Sequence, residues 1–409
     1  MTRMSTRRSF LLRSGALGCS LAASPILTPV GLASAPGDNR LVVIILRGGV
    51  DGLDVVRPIG DPAFQSARPG LLNSSEVGID LTGFFALHPA LLPLMPLWTA
   101  GELGFVHVAS TPYRDKRSHF DGQDLLEAGT VDLSGGGREG WLNRLVQVLP
   151  GANARTAFSV GDGEMLIAAG AAEVSNWSPS VDVVLSAAGL GLLRQVMAED
   201  PVFARAMSEA VELAALDGDQ VVFPDTHDGR MEAMVEDMQP IPRGDGHLRI
   251  AEFAASQLRH ETRIATFSLG GWDTHRNQKN ALKGPLGRLA DTILALKQGC
   301  GADVWGKTTV LAMTEFGRTV RENGTGGTDH GTGGMMLVAG GAVRGGRVHG
   351  LWPGLDEASL YDRRDLMPTS DLRGWAAWAM RASFGVVRSE LERSVFPGLD
   401  LGDDPGLML

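Results

Sequence analysis

The 409-residue chain has only two cysteines, Cys19 and Cys300. Cys19 falls in an N-terminal stretch that reads as a removable leader, so Cys300 is left alone and an internal disulfide is excluded. The chain also lacks any basic cluster. Its 47 Asp and Glu outnumber 37 Lys and Arg, for a net charge of −10. Nucleic acid and anionic membrane are poor partners for such a chain. No apolar run beyond the leader is long enough to span a bilayer. The first glycine-rich turn lacks the G-x-G-x-x-G spacing of a dinucleotide site, and there is no cysteine cluster, so an oxidoreductase reading has little support.

What is present begins with "TRRSFLL" (Thr6–Leu12), a pair of arginines followed by a short apolar stretch that ends on small residues near Ala33–Ala35. Together these read as a twin-arginine export signal over residues 1–35. The expectation is a periplasmic or secreted protein that engages the twin-arginine translocase during export. Removing that segment takes away four arginines and no acid, moving the net charge from −10 to −14. Residues 36–409 are then expected to form a single α/β domain.

Apolar patterning supports that fold class. "LVVIIL" (Leu41–Leu46) is a continuous, mostly β-branched run of the kind buried on both faces of a parallel sheet. "ELGFVHVAS" (Glu102–Ser110), "TTVLAM" (Thr308–Met313) and "GMMLVAGG" (Gly334–Gly341) read as further strands, and "TRIATFSLGGWDTH" (Thr262–His275) as a strand and turn. Helical spacing falls between them, over His88–Gly101, Ser118–Thr130 and Gly284–Gly299. Ser118 is a plausible cap for the second of these helices and Gly129 its stop. The alternation predicts a doubly wound, mostly parallel sheet flanked by helices. A helical insertion is expected at about residues 195–260.

The acids and histidines fall at strand ends. Asp51 follows the first strand, Asp273 and His275 follow the "TRIATFSL" strand, and Glu315 follows "TTVLAM". Asp329 and His330 lie just before the strand at Gly334. Ligands bind outside the carboxyl ends of parallel strands, so residues remote in sequence should converge at one edge. Carboxylate oxygens and imidazole nitrogens suit one or two divalent ions, zinc or manganese. Arg47 and Arg318, on the same turns, could hold substrate oxyanions or form structural ion pairs. His107, inside a predicted strand, reads as a hydrogen-bonded core residue.

The motifs "LRGGVDG", "YRDKRSHFDGQDLLEAG", "GGWDTH", "TEFGRTVRENGTGGTDHG" and "GGRVHGLWPGL" together resemble the exported family called domain of unknown function 1501. That family in turn looks like a distant branch of the alkaline phosphatase and sulfatase superfamily. The resemblance implies a metal site at the carboxyl edge of the sheet and hydrolysis of phosphate or sulfate esters. It implies Ser118 as metal-activated nucleophile, with His119 as a neighbouring proton-transfer group. Phe316 stands where the superfamily places a ligating His. The alternative is a non-catalytic exported binding or assembly protein that keeps the fold and a structural metal, with another exported protein as partner.

Overall fold

The computed structural model describes residues 37–72, 77–114, 116–134, 139–161, 165–178 and 245–409. The expected export signal lies outside the described residues, as does most of the expected helical insertion. Among the described residues, no helix is long and apolar enough to cross a membrane.

The centre of the molecule is a nine-stranded sheet. Its strands are β1 (Arg40–Leu46), β2 (Leu103–Ser110), β3 (Ala157–Val160), β4 (Ser175–Trp177), β5 (Ile264–Leu269), β6 (Thr308–Met313), β7 (Gly334–Ala339), β8 (Val348–His349) and β9 (Ser370–Asp371). They lie in the order β8–β2–β7–β6–β1–β5–β3–β4, with β9 also pairing to β2. β1 runs parallel to both β5 and β6, which explains its unbroken apolar run, since all seven of its residues are buried. β7 alone is reversed, antiparallel to β6 and β2. The amino end of β7 therefore meets the carboxyl ends of the other strands along one edge of the sheet.

Alternate side chains of β1 feed two cores. Val42, Ile44 and Leu46 pack in one cluster with α3 (Gly246–Leu258) and α4 (Lys283–Trp305), through residues such as Ala254, Leu286 and Ile293. Leu41, Val43 and Ile45 join the opposite cluster with α1 (His119–Ala128), α2 (Trp141–Val148) and α5 (Leu372–Phe384), through Leu126, Leu142 and Met380. Burying each such side chain is worth about 1.5–3 kcal/mol, and that burial carries the fold without a disulfide. Helices on both faces of a mostly parallel sheet make this the α/β architecture that the patterning predicts. α1 begins and ends as read: the Ser118 hydroxyl accepts the Asp121 N–H, and Gly129 closes the helix in the left-handed region at φ 65°.

His107, in β2, is a core residue. Its Nε2 lies 2.9 Å from the Val56 carbonyl, and its Nδ1 accepts the Val108 N–H at 2.9 Å. Burial pushes its pKa down to about 4. The neutral ring is the folded form, so this stabilisation is complete above about pH 6.5 and is lost as pH falls from there towards 4. We expect the drop to be about 3 kcal/mol over that range. Urea unfolding at several pH values should show a shallower acid slope for His107→Gln than for the parent chain. Equal slopes would mean that the ring takes up its proton as readily in the fold as in the unfolded chain.

Candidate metal centre

Four segments at the shared edge contribute side chains to a single cluster. The β2–α1 connection brings His119, the first residue of α1. The β5 turn brings Asp273 and His275, and the β6 turn brings Glu315. The segment entering β7 brings Asp329 and His330.

Close backbone approach makes this possible. A side chain at Gly48 would come within 2.6 Å of the Asp273 backbone nitrogen, so only glycine lets the β1 and β5 turns touch. Gly331 packs equally tightly on the Arg318 backbone, where Arg318 and His330 form an antiparallel bridge. Arg117, just before α1, sits in the left-handed region at φ 52°, an uncommon conformation for a residue with a side chain. There its carbonyl meets His330 Nδ1 at 3.0 Å.

The centre of the cluster is Asp273 Oδ1. His275 Nε2 lies 3.0 Å from it, His330 Nε2 3.3 Å and His119 Nε2 3.6 Å. The Nε2 atoms of His275 and His330 are only 2.9 Å apart. Among the described residues, His119 Nε2 is buried with no hydrogen-bond partner. His119, Asp273 and His330 form a group that could hold a metal ion, with one ligand atom from each inside a 4.8 Å span.

The remote ring nitrogens settle which atoms face inward. His119 Nδ1 lies 2.8 Å from Glu315 Oε1, and His275 Nδ1 lies 3.1 Å from Asp329 Oδ1. His330 Nδ1 faces the Arg117 carbonyl. All three Nδ1 atoms thus point at acceptors; with a proton on each, three Nε2 lone pairs converge on one carboxylate oxygen. Three lone pairs and an anionic oxygen repel one another unless a cation or protons lie between them. A carboxylate or carbonyl behind each ligating imidazole is the arrangement that metal sites use to fix ring orientation and basicity.

Electrostatics follow this layout. The hydrogen bond that His119 donates to Glu315 pushes the His119 pKa up, whereas burial pushes that of His330 down. Burial alone would raise Glu315, but hydrogen bonds from His119, Gln123 and Thr314 among others hold its carboxyl below the ordinary range. Asp273 is likewise held low against burial, chiefly by Arg318 at 2.6 Å. Asp273 is about half exposed, so the cluster opens to solvent on one side.

The remaining sequence candidates sit around this centre. Glu315 is fully buried and braces His119, and Asp329 braces His275. Asp51 is buried against Arg68 at 2.6 Å, with Gln278 and Thr328 on the same oxygen. Arg318 is buried and spends its donors on the Gly48, Gly49, Trp272 and Thr328 carbonyls and on Asp273, and its Nη1 also lies 3.4 Å from His275 Nε2. Arg47 pairs with neither Asp51 nor the cluster; it holds Glu127 at 2.6 Å and Gln123 at 2.7 Å. Phe316 is buried with its ring centre 5.1 Å from His119 and 4.9 Å from His330, an apolar wall behind both imidazoles. Sequence reading passed over Arg68, Gln123 and the Arg117 carbonyl. Only Gln123 leaves a signal, because His119, Gln123 and Glu127 recur every four residues along one helix face.

A sequence profile of the family described as "Protein of unknown function (DUF1501)" matches residues 108–373. No curated protein matches the chain. Among solved structures, the lipoteichoic acid synthase LtaP from Listeria monocytogenes matches with a TM-score of 0.31 and 9% identity. The match covers 71% of this chain and 59% of that one. A likeness this loose carries no inference about chemistry.

Proposed function

We propose that this chain, which belongs to the DUF1501 family, is an exported metal-dependent hydrolase of phosphate or sulfate esters. One observation carries the reading: three imidazole Nε2 lone pairs and Asp273 Oδ1 converge at a solvent-facing point, with every remote ring nitrogen already bound. His119, Asp273, His275 and His330 would hold one divalent ion, zinc or manganese, and the buried nitrogen of His119 that lacks a partner fits that role. Such an ion would supply Lewis-acid polarisation of the ester.

The chain's own groups do the rest. Glu315, Asp329 and the Arg117 carbonyl hold the three rings in one tautomer. Arg318 fixes Asp273 and adds positive charge beside it. Exposed Lys116, Arg117 and Arg276 lie on the segments that carry His119 and His275, and they favour an anionic substrate. The export part of the reading rests on residues 1–35 alone.

The Ser118 hydroxyl is committed to capping α1, where it accepts the Asp121 N–H, and it bonds none of the four donors, so water is the nucleophile in this reading. Ser118→Ala should leave ester hydrolysis within about threefold of the parent and cost about 1 kcal/mol of stability through the lost cap. Abolished hydrolysis with unchanged metal content would instead make Ser118 the nucleophile. The same commitment of Ser118 favours a second reading, a metal-holding binding protein without catalysis. Elemental analysis of untagged protein, followed by a panel of phosphate and sulfate esters, separates the two. Bound metal with turnover of any ester supports the hydrolase. Bound metal with no turnover supports the binding protein, and no metal in folded protein removes both.

A further inference from the structure

A second set of polar groups stands one layer further out on α1 and reaches the cluster only through Glu315. His119, Gln123 and Glu127 are spaced at four-residue intervals and so lie along one face of α1. Arg47, on the turn after β1, lies across that face. Its Nη2 meets Glu127 Oε1 at 2.6 Å, and its Nη1 donates to Gln123 Oε1 at 2.7 Å. Glu127 is itself fixed, since its other oxygen accepts the Ile167 N–H at 3.0 Å.

An amide that accepts through its oxygen on one side must present its N–H₂ on the other. Gln123 Nε2 accordingly donates to Glu315 Oε1 at 3.2 Å, on the same oxygen that faces His119 Nδ1. Gly48 N–H adds a third bond to that oxygen at 2.9 Å, and the Thr314 hydroxyl occupies Oε2 at 2.8 Å. Glu315 is therefore held in one rotamer by groups from two turns and a helix.

We infer that Gln123, clamped by Arg47, is a positioning residue for the metal centre, fixing the Glu315 carboxylate so that His119 keeps its proton on Nδ1 and offers Nε2. The inference rests on the metal reading above. It also gives the Arg47–Glu127 pair a use: the pair fixes which way the amide faces, a choice that Gln123 alone would leave open.

The test is zinc affinity of the full chain, measured by competition with a chromogenic chelator, for the parent and for Gln123→Met. Methionine has similar reach but can neither donate to Glu315 nor accept from Arg47. Affinity is expected to fall about ten- to a hundredfold, the usual effect of losing a group behind a ligating residue. Nitrogen-15 histidine spectra of the metal-free chain should show His119 shifting away from its Nδ1–H tautomer, which a merely structural role would not produce. Gln123→Met combined with Glu315→Gln should bind no more weakly than Glu315→Gln alone, because Gln123 acts through Glu315.

Should Gln123→Met not fold, Arg47→Lys keeps the charge beside Glu127 but loses the fork that clamps the amide. It is expected to weaken binding about three- to tenfold. A parent that binds zinc one to one, with a variant that binds as tightly and keeps the same His119 tautomer, overturns the inference and leaves the metal centre standing. A parent that binds no zinc overturns the metal reading itself, and the inference with it.

Discussion

Replacing His330 with alanine is expected to lower bound metal from about one equivalent to background and ester hydrolysis by about a thousandfold or more. The metal loss follows from geometry. His330 Nε2 lies within 3.3 Å of both Asp273 Oδ1 and His275 Nε2, so its removal takes away one of the four convergent donors and opens the cluster further to water. The rate follows from charge. Lewis-acid stabilisation of the transition state is worth several kcal/mol, and about 4 kcal/mol corresponds to about a thousandfold. Elemental analysis and initial rates on a phosphate ester, taken on the same preparations, check both halves. His330→Ala protein that keeps its metal would show that the donors are not the ligands. Protein that loses metal but keeps its rate would separate catalysis from the centre. The ring is packed on one side by Phe316, so a small loss of stability is also expected, and circular dichroism must show a folded variant before either number is read.

The largest stability loss should come from Arg68→Met, at about 3–5 kcal/mol. Arg68 and Asp51 are each about 1% exposed and meet at 2.6 Å. Arg68 also donates to the Thr319 and Val320 carbonyls, at 2.7 and 2.8 Å. Methionine fills much of the volume but leaves a buried carboxylate without a counter-charge and two carbonyls without donors. Gln278, at 2.6 Å, offsets part of that loss and cannot supply the charge. Adding Asp51→Asn to Arg68→Met should recover part of the loss, because the neutral amide removes the orphaned charge. Urea unfolding of the two variants beside the parent decides it. If Arg68→Met lies within about 1 kcal/mol of the parent, the Asp51 charge does not depend on Arg68. Asp51→Asn should keep its full metal content, since the Asp51 carboxylate bonds Arg68, Gln278 and Thr328 and none of the four inward-facing donors.

Much of the fold was legible because burial on two faces leaves a strong mark. β1, β5, β6 and β7 are apolar runs bounded by glycine-rich turns, and α1 carries both its cap and its stop. The edge on which the acids and histidines converge could be read from strand ends alone. The direction of β7 could not, since an apolar six-residue run looks the same either way. The division of labour among the site residues was also hidden. Whether a carboxylate holds an ion or braces an imidazole depends on reach and on which oxygen faces where, and spacing in sequence carries neither. Thus Glu315 and Asp329 look like ligands in the sequence and stand behind histidines in the structure. Asp51 is indistinguishable from them until Arg68 is seen to occupy it, and nothing in "QSARPG" marks that arginine. His119 is the reverse case, a residue read as an accessory to Ser118 that lies at the centre.

The reversal of β7 has one more consequence. His119 follows β2 and His330 precedes β7, which runs the opposite way, with β5 and β6 between them in sequence. The four inward-facing donors can therefore meet only once the sheet has assembled from β2 across to β5. Unfolded chain offers no such pocket, so an ion held there ties occupancy to completed folding. With Cys300 unpaired among the described residues, such an ion would be a reversible staple across the sheet, one whose strength the surroundings set. Free metal at a hundred times its dissociation constant would add about 2.7 kcal/mol to the stability of the native state, and each further tenfold about 1.4 kcal/mol more.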